Sequence, residues 1–183
     1  MKKFFTALVA SVVALSPTGV MANEANGNRY LLNSIRGAGV SVLFNDNEFC
    51  DGENAGAYSP YHRVMIVCQD NARVMNGREI PNWTANDYDT VRHEAHHIVQ
   101  DCWAGVIGDG DLDNIFDTEQ ELHDFLKLTK MSERQFDWIV STYRKNGASN
   151  ETILLELEAF AVAGGVDAYT IGNKLTETCK VSF

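Results

Sequence analysis

The 183-residue chain is acidic, with 25 Asp and Glu against 15 Lys and Arg and a net charge of −10, and 45% of it is hydrophobic. This suits one domain with a substantial core. It excludes nucleic acid and anionic membrane surfaces as natural partners, and no two cysteines stand in C-x-x-C spacing that would make a cysteine metal site.

Residues 1–22 read as a signal sequence. Lys2 and Lys3 precede an apolar run from Phe4 to Leu15, Pro17 and Gly19 break it, and Val20-Met21-Ala22 offers a cleavage point. The run is shorter than the roughly 20 apolar residues that span a bilayer, so no stable membrane anchor is expected. The expectation is a secreted or periplasmic protein with a single domain over 23–183. Losing two lysines and no acid takes its charge from −10 to −12. Export makes disulfides the default for Cys50, Cys68, Cys102 and Cys179. Of three possible pairings, Cys50–Cys68 would tie a local β structure. Cys102–Cys179 would fasten the C-terminal segment to the helix before it.

Residues 23–30 are polar and read as a loose start, followed by a short helix or strand over Leu31–Ile35. Gly39–Phe44 alternates like a strand. Ala55–Tyr58 and Arg63–Cys68 read as a hairpin turning near Pro60. Thr84-Ala85-Asn86-Asp87 is a capping signature that predicts a long helix ending near Ala104-Gly105. A Gly/Asp-rich loop over 105–117 precedes helical segments over 118–130, 132–145 and 150–163, and Asp167–Glu177 suggests one more short helix. The pattern is β-containing in front and helical behind, hence α+β.

The long helix carries His93-Glu94-Ala95-His96-His97, which fits H-E-x-x-H. Residues four apart on a helix differ by about 40° in direction and about 6 Å in height, so both imidazoles can reach one metal ion. Glu94 stands beside them as a general base. A catalytic zinc needs a third protein ligand. Gln100 and Trp103 stand where a metzincin carries Gly and His, which excludes that class. Glu156, on the apolar segment Leu154–Ala163, shares a face with Ile153, Leu157 and Phe160. A metal would account for an acid there. Glu158 is the alternative ligand.

HEAHH followed by ELEAFAVA resembles the gluzincin zinc metallopeptidases, in several of which a downstream Glu-x-x-Ala supplies the third ligand. By that resemblance His93, His97 and Glu156 are zinc ligands, Glu94 is the general base, and Ala159 completes the motif. Such helices usually carry Asp next. Phe160 stands there instead, which leaves a histidine's outer contact unsupplied from that position. RHEAHHIVQDC also looks similar to small exported proteins of unassigned function. The resemblance implies a zincin-like fold, with a small N-terminal β-hairpin or sheet packed on the metal-binding helix and a helical C-terminal half.

Other readings stay beside this one. His96 reads as a packing residue or an outer contact of the site, and His62 and His123 as ordinary surface or satisfied histidines. Asp109–Gln120 has acids at calcium-loop positions 1, 3, 5 and 9, but Asn114 and Gln120 replace the usual Gly and Glu. Tyr58, Tyr61 and Tyr143 could stabilise an oxyanion. The function expected is an exported zinc-dependent peptidase, acting on a peptide or protein substrate with a zinc-bound water and Glu94 as base. A strand near Arg63–Cys68 would pair with the substrate. The alternatives are a non-catalytic, zinc-stabilised secreted binding domain, and a domain without metal held by its disulfides.

Overall fold

A computed structural model describes residues 21–51, 54–72 and 77–180. Residues 1–20 of the expected signal sequence lie outside this set. Six α-helices and a three-stranded sheet are found among the described residues, an α+β fold that is mostly helical.

The described residues begin with α1 (Met21–Gly37), so residues 23–30 are helical rather than loose. Propensity alone gives little reason for this. Partnership along α6 (Ala168–Thr178) does. Leu31, Leu32 and Ile35 are buried in the same core as Ala168, Ile171 and Leu175. Tyr30 stacks obliquely on Tyr169, and its hydroxyl donates to Asn173 Oδ1 at 2.7 Å.

The sheet is ordered β1-β3-β2. β1 (Ser41–Phe44) runs parallel to β3 (Val64–Val67), and β2 (Gly56–Ser59) runs antiparallel to it. The expected hairpin is present, turning through a 3-10 segment at Pro60–His62. β3 is the central strand, with a neighbour on each side, so it has no edge to offer a substrate. The edge strand beside α2 (Ala85–Ala104) is β2. Gly56 permits that approach, since a Cβ there would lie 2.6 Å from Thr90 Cγ2 and 2.9 Å from the Ile66 carbonyl oxygen.

Thr84 and Asp87 close the expected capping box on α2. Helices α3 (Glu119–Leu128), α4 (Glu133–Lys145) and α5 (Asn150–Gly165) follow. The main core joins α1, α2, α6 and the sheet, with Val162 of α5. Smaller apolar clusters seat α4 and α3 on α5. Both expected disulfides form: Cys50–Cys68 and Cys102–Cys179. The second pins the end of α6 to the end of α2. Disulfides fit an oxidising compartment. No helix among the described residues is long and apolar enough to cross a membrane.

Candidate metal centre

Helices α2 and α5 pack antiparallel, and the contacts between them set the register. At one end Arg92 Nε donates to the Ala163 carbonyl at 2.8 Å, while its guanidinium also pairs with Glu24 and Asp89. At the other end Gln100 Nε2 donates to the Leu155 carbonyl at 3.1 Å. Between these anchors Glu156 reaches the two motif histidines. His93 Nε2 and His97 Nε2 lie 3.1 Å apart, Glu156 Oε2 is 3.3 Å from His93 Nε2, and Glu156 Oε1 is 3.6 Å from His97 Nε2. All three residues are buried, and one donor atom from each lies within 4.8 Å of the others, so the group could hold a metal ion.

Five buried side-chain polar atoms among the described residues have no hydrogen-bond partner. Four belong to this neighbourhood: His93 Nδ1, Glu94 Oε1, Tyr143 Oη and Glu156 Oε2. Buried polar atoms are normally paired, because leaving one bare costs about 1–3 kcal/mol. Their concentration at one place is what a site built around an additional group looks like.

The outer contacts differ between the two histidines. His97 Nδ1 lies 2.7 Å from Gln100 Oε1. An amide oxygen only accepts, so the proton sits on Nδ1 and Nε2 is left to face Glu156. His93 Nδ1 has no such partner, and its ring lies against Phe160 at 4.4 Å between centroids. Phe160 offers that nitrogen no acceptor. Trp138 and Tyr143 of α4 stand edge-on to the Phe160 ring and make an aromatic wall.

Electrostatics follow burial and charge. Burial would raise the Glu156 pKa, but His97 and His93 overcome it and hold the carboxyl well below the usual range. Burial would lower that of His97, but Glu156, with help from Glu94 and Gln100, pushes it up to about 9. Glu94 is 1% exposed, and burial raises its pKa against the pull of His93 and His97. Burial, and then the charge of Glu156, also raises the pKa of the Tyr143 phenol, which faces that carboxylate without a well-formed hydrogen bond.

Glu158, the alternative ligand, goes elsewhere. Its Oε1 meets His96 Nε2 at 2.5 Å, and the Ile115 backbone N–H donates to Oε2 at 3.1 Å. With the Asn114 amide nitrogen turned inward, Asn114 donates to Oε2 at 3.0 Å and to the Leu154 carbonyl at 3.3 Å. Burial lowers the His96 pKa against the pull of Glu158. The 105–117 loop therefore supplies donors to a buried carboxylate. Its acids Asp109, Asp111, Asp113 and Asp117 are exposed and form no cluster able to hold a metal among the described residues.

Of the three tyrosines, only Tyr143 faces the cluster with its hydroxyl. Tyr58 donates to Asp101 Oδ2 at 2.6 Å, and its backbone amide favours the charged form of Glu94. Tyr61 is 71% exposed. Sequence reasoning missed Gln100 and Asn114 as partners. Gln100 carries a signal, since it lies one turn beyond His97 on the buried face, although in the motif it reads only as a missing glycine.

Neither a curated protein nor a solved structure matches the chain. The model of the family described as Domain of unknown function (DUF8637) matches residues 12–161, a span that takes in the HEAHH helix and Glu156, and the chain belongs to that family.

Proposed function

We propose that this protein is an exported, zinc-dependent peptidase of zincin-like build, in which His93, His97 and Glu156 hold the metal and Glu94 is the general base. One observation carries the proposal: two imidazoles and a carboxylate converge, buried, at the one place where four side-chain polar atoms lack partners among the described residues. Ligand atoms about 2.0–2.1 Å from zinc at the tetrahedral angle lie about 3.3–3.4 Å apart. Here the two imidazole nitrogens lie 3.1 Å apart and each meets a different oxygen of Glu156, at 3.3 and 3.6 Å, with one donor atom from each residue within 4.8 Å of the others. Two imidazoles and one carboxylate also form the donor set of a catalytic zinc with one position open.

Zinc held there supplies a Lewis acid that polarises a peptide carbonyl and acidifies water. The remaining work belongs to the chain. Glu94 keeps Oε1 free of any partner, and its raised pKa suits a carboxylate that takes a proton from water and returns it to the leaving amine. Gln100 fixes the His97 ring. The outward backbone groups of β2, beside Glu94, are where an extended substrate would add a strand. This moves the expected substrate contact from Arg63–Cys68 to Gly56–Ser59.

A second reading, a non-catalytic domain stabilised by zinc, is favoured by burial. His93, Glu94, His97 and Glu156 are 4%, 1%, 9% and 9% exposed. Glu94→Gln separates the two. A peptidase keeps stoichiometric zinc by elemental analysis and loses at least about a hundredfold in turnover of an unfolded protein substrate. Purified protein without zinc overturns both readings. Wild-type protein with zinc and no turnover leaves the structural one.

A further inference from the structure

A cleft of 370 Å³ lies away from the HEAHH cluster, between α1 and the approach to α2. Asn28, Arg29, Leu32, Arg36, Glu79, Trp83 and Tyr88 shape it. Trp83 and Tyr88 stack at 10° between planes and 5.4 Å between centroids, and they form an apolar wall. Asn28 is 3% exposed and its Oδ1 has no hydrogen-bond partner. It is the fifth of the five orphaned buried atoms, and the other four are at the metal centre. Arg29 and Arg36 are exposed, and neither is in an ion pair among the described residues.

We infer that this cleft binds the carboxyl-terminal end of a peptide. The inference does not rest on the zinc reading. A buried amide oxygen asks for an N–H donor, and an adjacent guanidinium asks for a carboxylate. The last residue of a peptide carries both within one residue, as Asn28 and Arg29 are neighbours in the chain. Arg36, two helical turns on, suits a second carboxylate from an acidic side chain. Glu79 disfavours a carboxylate on its own side and so sets the direction of entry. The volume fits a ligand of about dipeptide size.

The probe is N-acetyl-Ala-Glu with a free carboxyl terminus, titrated into the mature protein by calorimetry. Its C-terminal amide and sodium acetate are titrated in parallel. Saturable binding is expected that weakens at least about tenfold for the amide, and for the double variant Arg29→Gln, Arg36→Gln. Both arginines are exposed, so the variant should keep the wild-type melting temperature. Asn28→Leu removes the acceptor at similar volume and should weaken the acid and the amide alike. Chelator-treated protein should bind as before, whatever becomes of zinc or turnover. Equal binding of acid and amide, equal competition by acetate, an unaffected arginine variant or no saturable binding would each overturn the inference.

Discussion

Helices α2 and α5 meet through two His–Glu groupings of nearly identical chemistry, and the two are finished in opposite ways. Glu158 is saturated: His96, Ile115 N–H and Asn114 surround its oxygens. Glu156 faces two imidazoles at distances too long for tight hydrogen bonds, and one of its oxygens has no partner. A buried carboxylate whose donors all come from the protein is a structural anchor. One whose surroundings are incomplete awaits another group. Residue type and helix are the same for both and each is buried, so hydrogen-bond satisfaction is what separates the proposed ligand from the anchor.

Exchanging each acid for its amide should break this comparison most visibly. Glu156→Gln removes the charge of the proposed ligand, and zinc affinity should fall at least about a hundredfold, beyond the 10–100-fold typical of groups behind the ligands. Glu158→Gln should leave zinc stoichiometry intact and lower stability by about 1–3 kcal/mol, because His96 and the loop amides lose a charged acceptor. Competition against a zinc chelator and thermal melts read the two effects. A swap, with zinc lost from the Glu158 variant only, would make Glu158 the ligand.

The same contrast explains what the sequence made legible. The capping box at Thr84, the α2 boundary near Ala104 and the short last helix after Asp167 are local chemistry, and they stand as read. So does Glu156 beside the two histidines, because i, i+4 spacing and an acid among apolar neighbours are one-dimensional signals. The helix over 23–30 was not legible, since its cause is α6, more than a hundred residues away. Nor was the commitment of Glu158. Its donors come from a loop that reads as solvated and acidic, and only the fold shows Asn114 and the Ile115 amide turned inward. The central place of β3 was hidden too, because a parallel partner such as β1 leaves no turn signal between the strands.

Protons sharpen the comparison by a smaller amount. Without metal, the two facing Nε2 atoms need a proton between them, and Glu156 holds it on His97 up to a pKa of about 9. Against an ordinary histidine value near 6.5, this pKa is raised. The stabilisation it brings to metal-free protein is therefore complete below about pH 6.5 and fades as pH rises through about 9. In the proposed site zinc displaces that proton, so its affinity should climb about tenfold per pH unit toward pH 9. The melting temperature of zinc-loaded protein minus that of chelated protein should thus widen from pH 6 to pH 9. A difference that stays flat would place the proton elsewhere.

The smallest effect concerns the loop that finishes Glu158. Its contribution comes through the backbone N–H of Ile115, the amide of Asn114 and a bond from Asp113 N to the Gln100 carbonyl at 3.3 Å. The exposed carboxylates of Asp111 and Asp113 take no part in holding it there. The double variant Asp111→Asn, Asp113→Asn should therefore stay within about 0.5 kcal/mol of wild type, as surface changes do. Millimolar calcium should leave the melting curve of either protein unmoved. A calcium-dependent rise lost in the variant would instead make this loop a cation site. Glu158 would then be held by a segment whose order depends on an ion, and the division between a finished and an unfinished carboxylate would no longer follow from the protein's own donors.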